Sequence, residues 1–565
     1  MINEQQKVDL ISTAIGKRKA DLVFKSVKYL NVFTNVFVTA DVAVCNGYIA
    51  GIGSYSGETE VDCTGKALVP GFIDSHIHLE SSIISPVNFA KAVSPHGTTA
   101  VITDPHEITN ILGADGIDYM LDSTENLPID VFFMIPSCVP ASPFDENGAE
   151  ITHIDTEKYM KNSRVLGLAE MMNFPATING NSKIMKMILS AEKCGKSVDG
   201  HAPSLSGSSL NAYVAAGIKS DHECTTLEEA NEKLSLGQYI MIRQGTAGRN
   251  FDALAPLLKG DTYSRCLFAT DDKHPGELVQ NGHIDYIIKK AIGGGVKPEI
   301  AYKVASFNSA QYFGLKDRGA IAPGYVADFV LLNDINNVSV CGVYKNGSLV
   351  RINEYNSPSS TTDSRLEKRV RNTVNTDKIT TVDLKTKKFE EKVIGLIGGE
   401  IITTDAGKAE KIDPKNDILK ACVVERHKNT GHIGVCYVKG YGLKSGAVAT
   451  SVAHDSHNII AIGASDEDIA AAVNGIIDMH GGMVVTNNGE ILESLELNIA
   501  GLMTDKPIEA VTERIAHLKE AAYSLGVYHE VDPFMTLSFI SLPVIPRLKL
   551  TTLGVVDVNK FELLK

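Results

Sequence analysis

Between Gly71 and Leu315 strand and helix signals alternate eight times, and no other feature of the chain limits its fold so sharply. The strand segments are Phe72–Leu79, Thr98–Thr103, Asp130–Ile135, Val165–Glu170, Ser197–Gly200, Ile218–His222, Tyr239–Ile242 and Arg265–Thr270. Helical patterns lie between them. In one, Ile184, Met187, Ile188 and Ala191 recur at i, i+3, i+4 and i+7, the spacing of a single buried helix face. In another, Thr226 and Glu229 have the spacing of a capping box. Eight such units in about 245 residues are what a closed (β/α)8 barrel of the TIM type requires. An open doubly wound sheet would carry a glycine fingerprint after its first strand, whereas Gly293-Gly-Gly does not follow a strand and reads as a loop.

The flanks have a different texture. Leu22-Val-Phe-Lys-Ser-Val, Val36-Phe-Val-Thr-Ala-Asp-Val-Ala-Val and Tyr48-Ile-Ala-Gly-Ile-Gly are β-rich and broken by Asn-Gly and Gly turns. The same texture returns at Gly324-Tyr-Val-Ala-Asp-Phe-Val-Leu-Leu and at Val338-Ser-Val-Cys-Gly-Val-Tyr-Lys-Asn-Gly. One small β-sandwich domain that brackets the barrel accounts for both. The expected organisation of this α/β chain is therefore an N-terminal helix with the first half of the β-domain (1–70) and the barrel (71–315). The second β-half (316–351) and a polar connection beginning near Ser357-Pro-Ser-Ser-Thr-Thr (352–388) follow, and then a C-terminal α+β domain (389–565) with a helix at Glu467–Met479.

In a barrel of this kind active-site groups project from the C-terminal ends of the strands. Six ligand-type side chains fall there. Strand one ends in His76-Ile-His78, whose two imidazoles share one side of the strand. Strands four, five, six and eight end in Glu170, His201, His222 and Asp271. Singly, each has an ordinary explanation: a polar residue at the barrel mouth, a helix-capping or ion-paired carboxylate, a loop histidine bonded to backbone, a solvated turn or an N-cap. No packing rule brings all six to matching points. Four imidazoles with two carboxylates suit Zn²⁺, Fe²⁺ or Mn²⁺ rather than an all-oxygen Ca²⁺ or Mg²⁺ cage. Six ligands exceed what one catalytic ion takes while keeping an open position, so two ions sharing a carboxylate are expected.

The segment Leu68-Val-Pro-Gly-Phe-Ile-Asp-Ser-His-Ile-His-Leu resembles the entry segment of the amidohydrolase superfamily, and Gly319-Ala-Ile-Ala-Pro-Gly-Tyr-Val-Ala-Asp-Phe-Val resembles its return through the β-domain. His78-Leu-Glu-Ser-Ser, Thr103-Asp-Pro-His-Glu-Ile, Asp199-Gly-His-Ala-Pro, Ser220-Asp-His-Glu-Cys, Thr270-Asp-Asp-Lys-His-Pro and the extra C-terminal domain resemble the bacterial adenine deaminases more narrowly. Many binuclear relatives carry a carboxylated lysine on strand four; Glu170 here resembles the glutamate bridge of the adenine deaminase group. The resemblance implies His76, His78 and Asp271 on one ion, His201 and His222 on the other, Glu170 as the bridge, and manganese as the metal, with iron or zinc able to occupy such sites. It implies hydrolysis of adenine to hypoxanthine and ammonia by metal-activated water, with the free base preferred over adenosine and Asp271 as the proton shuttle. The candidates for protonating ring N1 are Glu170, His106, Glu107 and Glu223. Asp104 and His106, ending strand two, are expected to shape the site, and the Arg243–Asn250 loop to close over the base; Asp104, His106, Glu223 and Arg243 are the substrate-binding candidates. Asp272, one position beyond Asp271, is expected to point away from the metals. The pair His454 and His457 has metal-like spacing but lies outside the barrel without identifiable companions, and is read as structural. Hydrolysis of an amide or cyclic imide, or a metal-free binding scaffold on the same fold, are the competing readings.

Composition narrows the partners. The net charge of −14 with no long basic run argues against nucleic acid. No apolar stretch is long enough for a membrane span, and the mixed charges of the first 21 residues do not make a secretory signal but a short amphipathic helix. Nine scattered cysteines without a CxxC pair fit reduced thiols in a cytoplasm. A small purine base as ligand and a homo-oligomeric assembly complete the expectations.

Overall fold

The computed structural model describes residues 2–246, 248–355, 364–385 and 392–564. Behind a helix at Glu4–Ala14 come β1 (Ala20–Asn31), β2 (Val36–Cys45), β3 (Tyr48–Gly53), β4 (Gly57–Asp62) and β5 (Ala67–Pro70). The eight barrel strands follow: β6 (Phe72–Ile77), β7 (Thr98–Thr103), β8 (Asp130–Ile135), β9 (Val165–Met171), β10 (Ser197–Gly200), β11 (Ser220–Asp221), β12 (Tyr239–Arg243) and β13 (Cys266–Ala269). All eight barrel strands read from the sequence are present. The observed strand six is only two residues long, because His222 and Glu223 leave the ladder to enter the site.

Strands β6 to β10 pair in parallel in sequence order, as do β11 to β13. Between β10 and β11, Lys219 donates its backbone N–H to Val198 (2.9 Å). The ring closes between first and last strands, where the Asp271 N–H donates to the His76 carbonyl (2.9 Å) and the His78 N–H to the Asp271 carbonyl (3.2 Å). That closure brings the two ends of the ligand series, 193 residues apart in sequence from His78 to Asp271, onto adjacent backbone.

The β-rich flanks form one sheet, in which β14 (Phe329–Asp334) of the second half lies antiparallel to β5 of the first. Asp328 explains the Pro-Gly-Tyr-Val-Ala-Asp signature before β14. Its carbonyl accepts the Gly71 N–H (3.0 Å), and its carboxylate takes Arg318 (2.6 Å), Lys345 (2.9 Å) and the Asn346 N–H (2.8 Å). Arg318 and Lys345 also reach Asp130 at the start of β8 (2.6 and 2.8 Å), so one buried cluster pins the β-domain to the barrel floor.

The capping box is half made. Thr226 accepts the Glu229 N–H (3.2 Å), but the Glu229 carboxylate turns instead to Ser204, Thr225 and Lys233. The buried Lys233 is a stronger partner than a backbone amide. In the connection, Ser357-Pro-Ser-Ser-Thr-Thr lies outside the described residues, and beyond it a helix at Ser364–Val370 buries Leu366 and Val370 four positions apart. The C-terminal part is built on an eight-stranded sheet from Lys392 to Glu496, with helices at Asp466–Asp478, Ile508–Ser524 and Pro533–Ile540 and a three-stranded sheet at the end. Among the described residues no helix is long and apolar enough to cross a membrane.

Removing the Asp328 carboxylate leaves Arg318 and Lys345 with Asp130 as their one carboxylate and frees the Asn346 N–H. Asp328→Ala is expected to cost about 1.5–3 kcal/mol, the size of lost hydrogen bonds to charged groups, because both cations keep Asp130. Denaturant unfolding should then move to a lower midpoint; an unchanged midpoint would show that the cluster does not hold the domains together.

Candidate metal centre and active site

Glu170, at the end of β9 and only 3% exposed, is where the site converges. One carboxylate oxygen lies 2.7 Å from His201 Nδ1 and 3.1 Å from His222 Nε2; the other lies 3.5 Å from His78 Nε2 and 3.6 Å from His106 Nδ1. Asp271 closes the far side, with one oxygen 3.1 Å from His78 Nε2 and 3.4 Å from His76 Nε2. The His76 and His222 rings stack at 4.3 Å, which joins the two halves of the cluster. All six residues expected at the strand ends are therefore brought together.

The surroundings fix these side chains. His78 Nδ1 faces the Asp104 carbonyl (3.0 Å), which can only accept; the proton is on Nδ1 and the Nε2 lone pair points at two carboxylates. His201 is set by the Tyr213 hydroxyl, which receives its backbone N–H (3.1 Å) and itself donates to the Met171 carbonyl (2.8 Å). Asp221 accepts the N–H of Ala202 (2.9 Å) and of Glu223 (2.8 Å), and Lys233 sits 3.1 Å away. Burial alone would raise the Asp221 carboxyl, but Lys233 together with His222, the Glu223 N–H and His201 holds it below its ordinary range. Asp271 takes a left-handed backbone conformation (φ 59°), the bend that turns its side chain inward after β13.

Arg243 ends β12 and is buried. Its Nη1 contacts Glu223 and lies 2.6 Å from the second Asp271 oxygen. Burial would raise the Asp271 carboxyl; Arg243 first, then His76 and His78, hold it well below the usual carboxylate range. The Arg243–Asn250 loop packs its own Gly248 against this guanidinium, where an added Cβ would come within 2.6 Å. The arginine is thus part of the wall beside Asp271 rather than of a loop tip. Asp104 lies 3.1 Å from His106 Nδ1, and that ring stands edge-on to His78 at 4.5 Å.

The expectation for Asp272 needs correction. It receives the Ser81 hydroxyl, yet one of its oxygens falls within 4.8 Å of ligand atoms of His78 and Asp271. The alternation that would send it outward holds only within a strand, and β13 ends at Ala269.

The donor set fits divalent metal. A lone pair facing carboxylates is repulsive unless a proton or cation lies between, and His76 Nε2 is buried with no hydrogen-bond partner. His76, His222 and Asp271 form one group able to hold an ion, and Glu170, His201 and His222 another; His78 groups with Asp104, His106 and Glu170.

The sequence reading missed the contribution of the C-terminal domain. His454 Nδ1 lies 2.6 Å from Glu107 Oε1, and His457 Nε2 contacts Glu107 Oε2, so the pair read as lacking companions meets a barrel carboxylate 350 residues away. Glu80, in the segment after His78, is also buried, accepts the Ile108 N–H (3.2 Å) and is pushed up to about 7 by burial. A cavity of about 450 Å3 opens between barrel residues such as Thr246 and His274 and the C-terminal Lys519, Asp532 and Phe539. A smaller one, about 30 Å3, shares His274, Met535 and Phe539 with it and reaches Ser81, Asp272 and His454.

A barrel with imidazoles and carboxylates converging at its mouth and a bracketing β-sheet defines a metal-dependent hydrolase of the amidohydrolase class, and the amidohydrolase family model matches residues 67–350. A model described as the adenine deaminase C-terminal domain matches residues 399–562. The chain is 46% identical over 98% of both chains to adenine deaminase 2 of Carboxydothermus hydrogenoformans and 43% identical to adenine deaminase of Clostridium acetobutylicum, covering 98% of this chain and 99% of that one. It is 44% identical to adenine deaminase of Desulfatibacillum aliphaticivorans over its whole length. The chain belongs to the adenine deaminase family.

Glu170→Gln keeps the shape of the side chain and removes the negative charge. It is expected to fold and to retain less metal after Mn²⁺ loading and desalting than the unaltered protein. Equal metal content in the two would show that this carboxylate is not a ligand.

Proposed function

We propose that the chain hydrolyses adenine to hypoxanthine and ammonia at a binuclear divalent metal site. The observation that carries this reading is the convergence of His78, His201 and His222 on the two oxygens of one buried glutamate, in a chain 46% identical to a protein named adenine deaminase 2. In this reading His76, His78 and Asp271 would hold one ion, His201 and His222 the other, and Glu170 would serve both. Bound ions would lower the pKa of water toward neutrality and polarise the purine C6.

Asp271 is the proton carrier. Arg243 keeps its carboxylate ionised, so it can take a proton from the attacking water and return it to the departing amine. Water oxygen thereby replaces the 6-amino group, and ammonia leaves. The proton for ring N1 is assigned to His106 from among Glu170, Glu107, Glu223 and His106. Glu223 is engaged by Arg243, Glu107 by His454 and His457, and Glu170 serves the metals. His106 is left by elimination: its Nδ1 lies 3.1 Å from Asp104 and 3.6 Å from Glu170, beside the centre where the base would sit.

Manganese is proposed as the working metal on the family resemblance alone, since mixed imidazole and carboxylate donors would equally accept iron or zinc. The cytoplasm is proposed as the compartment, supported by scattered cysteines without a CxxC pair, which fit reduced thiols. A homo-oligomer is proposed because Val8 and Ile11 of the N-terminal helix, Ile15 at its end, and Phe33, Val36 and Val38 of the β-domain are exposed apolar side chains.

The test is turnover of adenine, adenosine and a hydantoin by Mn²⁺-loaded protein with product identification. Adenine is expected to give hypoxanthine and ammonia with the highest kcat/KM; turnover of the hydantoin alone would overturn the reading. Asp271→Asn is expected to lower kcat by about 10²–10⁴, the range for loss of a general acid–base group. Metal content measured alongside separates proton transfer from ligation; an unimpaired variant would remove Asp271 from the mechanism.

A further inference from the structure

The segment Ala453–His457 of the C-terminal domain is built with more care than a domain contact needs. Its base is held by Arg426, fully buried, which donates to the carbonyls of His457 and Ala500 and to the Thr373 hydroxyl. The next residue, Asn458, donates its side-chain amide to the Glu146 carbonyl (2.7 Å), tying the segment to the barrel's third loop. Within the segment the His457 N–H donates to the Ala453 carbonyl (2.6 Å), and the Ala453 N–H donates back to His457 Nδ1 (3.2 Å).

That last bond decides the chemistry of the ring. Nδ1 accepts, so in the neutral imidazole the proton is on Nε2, and Nε2–H donates to Glu107. A ring so committed has no lone pair left for a metal, although Glu107, His454 and His457 have the spacing of a three-ligand site. His454, stacked on Phe539 at 5.0 Å, brings Nδ1 to the other Glu107 oxygen. Glu107 is thus gripped from outside the barrel, while on its barrel side it lies 3.6 Å from His106 Nε2. Asp455, from the same C-terminal segment, lies 3.7 Å from that nitrogen. His106 in turn reaches Glu170.

We infer that the C-terminal domain completes the active site, with His457 a positioning residue that acts through Glu107 to set the His106 ring against the Glu170 centre. The inference rests on the deaminase reading and adds to it the role of a domain that the barrel chemistry leaves unexplained. A barrel alone would leave Glu107 without either imidazole and His106 without the carboxylate of Asp455.

A double-mutant cycle on the full-length Mn²⁺-loaded enzyme tests it, with kcat, KM, metal content and melting temperature read for each variant. His457→Ala is expected to lower kcat by about 10²-fold, the effect of misplacing a catalytic group, with KM within about threefold and metal content unchanged. His457→Gln, which still offers an N–H donor, should recover most of the loss. Glu107→Gln/His457→Ala should be no worse than Glu107→Gln alone. Full activity in His457→Ala, losses that multiply in the double variant, or a loss proportional to missing metal would each overturn the inference. Should His457→Ala not fold, His454→Ala with Glu107→Gln carries the same cycle. Failure of the unaltered enzyme to deaminate adenine would refute the proposed function instead, so the two failures are distinguishable.

Discussion

A carboxylate withdrawn from water into a protein interior loses hydration worth several kcal/mol, and it persists as an anion only if fixed donors or cations replace that hydration. Glu170 is in that position, and the architecture around it can be read as the replacement. Three imidazoles from three other strand ends point at its two oxygens, and a fourth, His106, stands just beyond. Burial pushes the Glu170 carboxyl up, and His201 and His222 pull it well below its ordinary value. A closed barrel is suited to this because every strand ends on the same rim, so residues from distant parts of the sequence reach one point without a long loop.

The same demand extends outward in layers. Asp271 is answered by Arg243, which also answers Glu223; Asp221 is answered by Lys233, which also answers Glu229. Each cation serves two carboxylates, so removing one leaves two charges unmatched. Buried charge arranged in this way contributes little net stability but fixes geometry, since few arrangements satisfy every member. At the floor of the barrel the pattern recurs with Arg318 and Lys345 between Asp130 and Asp328, there holding two domains rather than a site.

On the open side of the rim the C-terminal domain takes part. Its histidines reach Glu107, its Asp455 faces His106, and its helix at Pro533–Ile540 lines the cavity beside Asp272 and His274. Such an arrangement excludes water from one flank of the site, where lower local dielectric strengthens every remaining electrostatic contact.

Alternating strand and helix signals were enough to define the barrel, because hydrophobic periodicity is local and a run such as Thr98–Thr103 declares its own form. His76, His78, Glu170, His201, His222 and Asp271 were legible because the strand ends of a barrel are equivalent by symmetry, so position along each strand substitutes for position in space. The half-made capping box at Thr226 and the inward reach of Asp272 were not, since Lys233 and the left-handed turn at Asp271 override local spacing. His454 and His457 were visible as a pair but not as part of the site. Their partner, Glu107, lies 350 residues from His457, and nothing in either segment encodes which domain face will cover which barrel loop. Local pattern therefore determined the barrel and its ring of ligands, while the identity of the groups around Glu107 and His106 was decided by domain packing, a sum of many weak, non-local contacts that no short stretch of sequence contains.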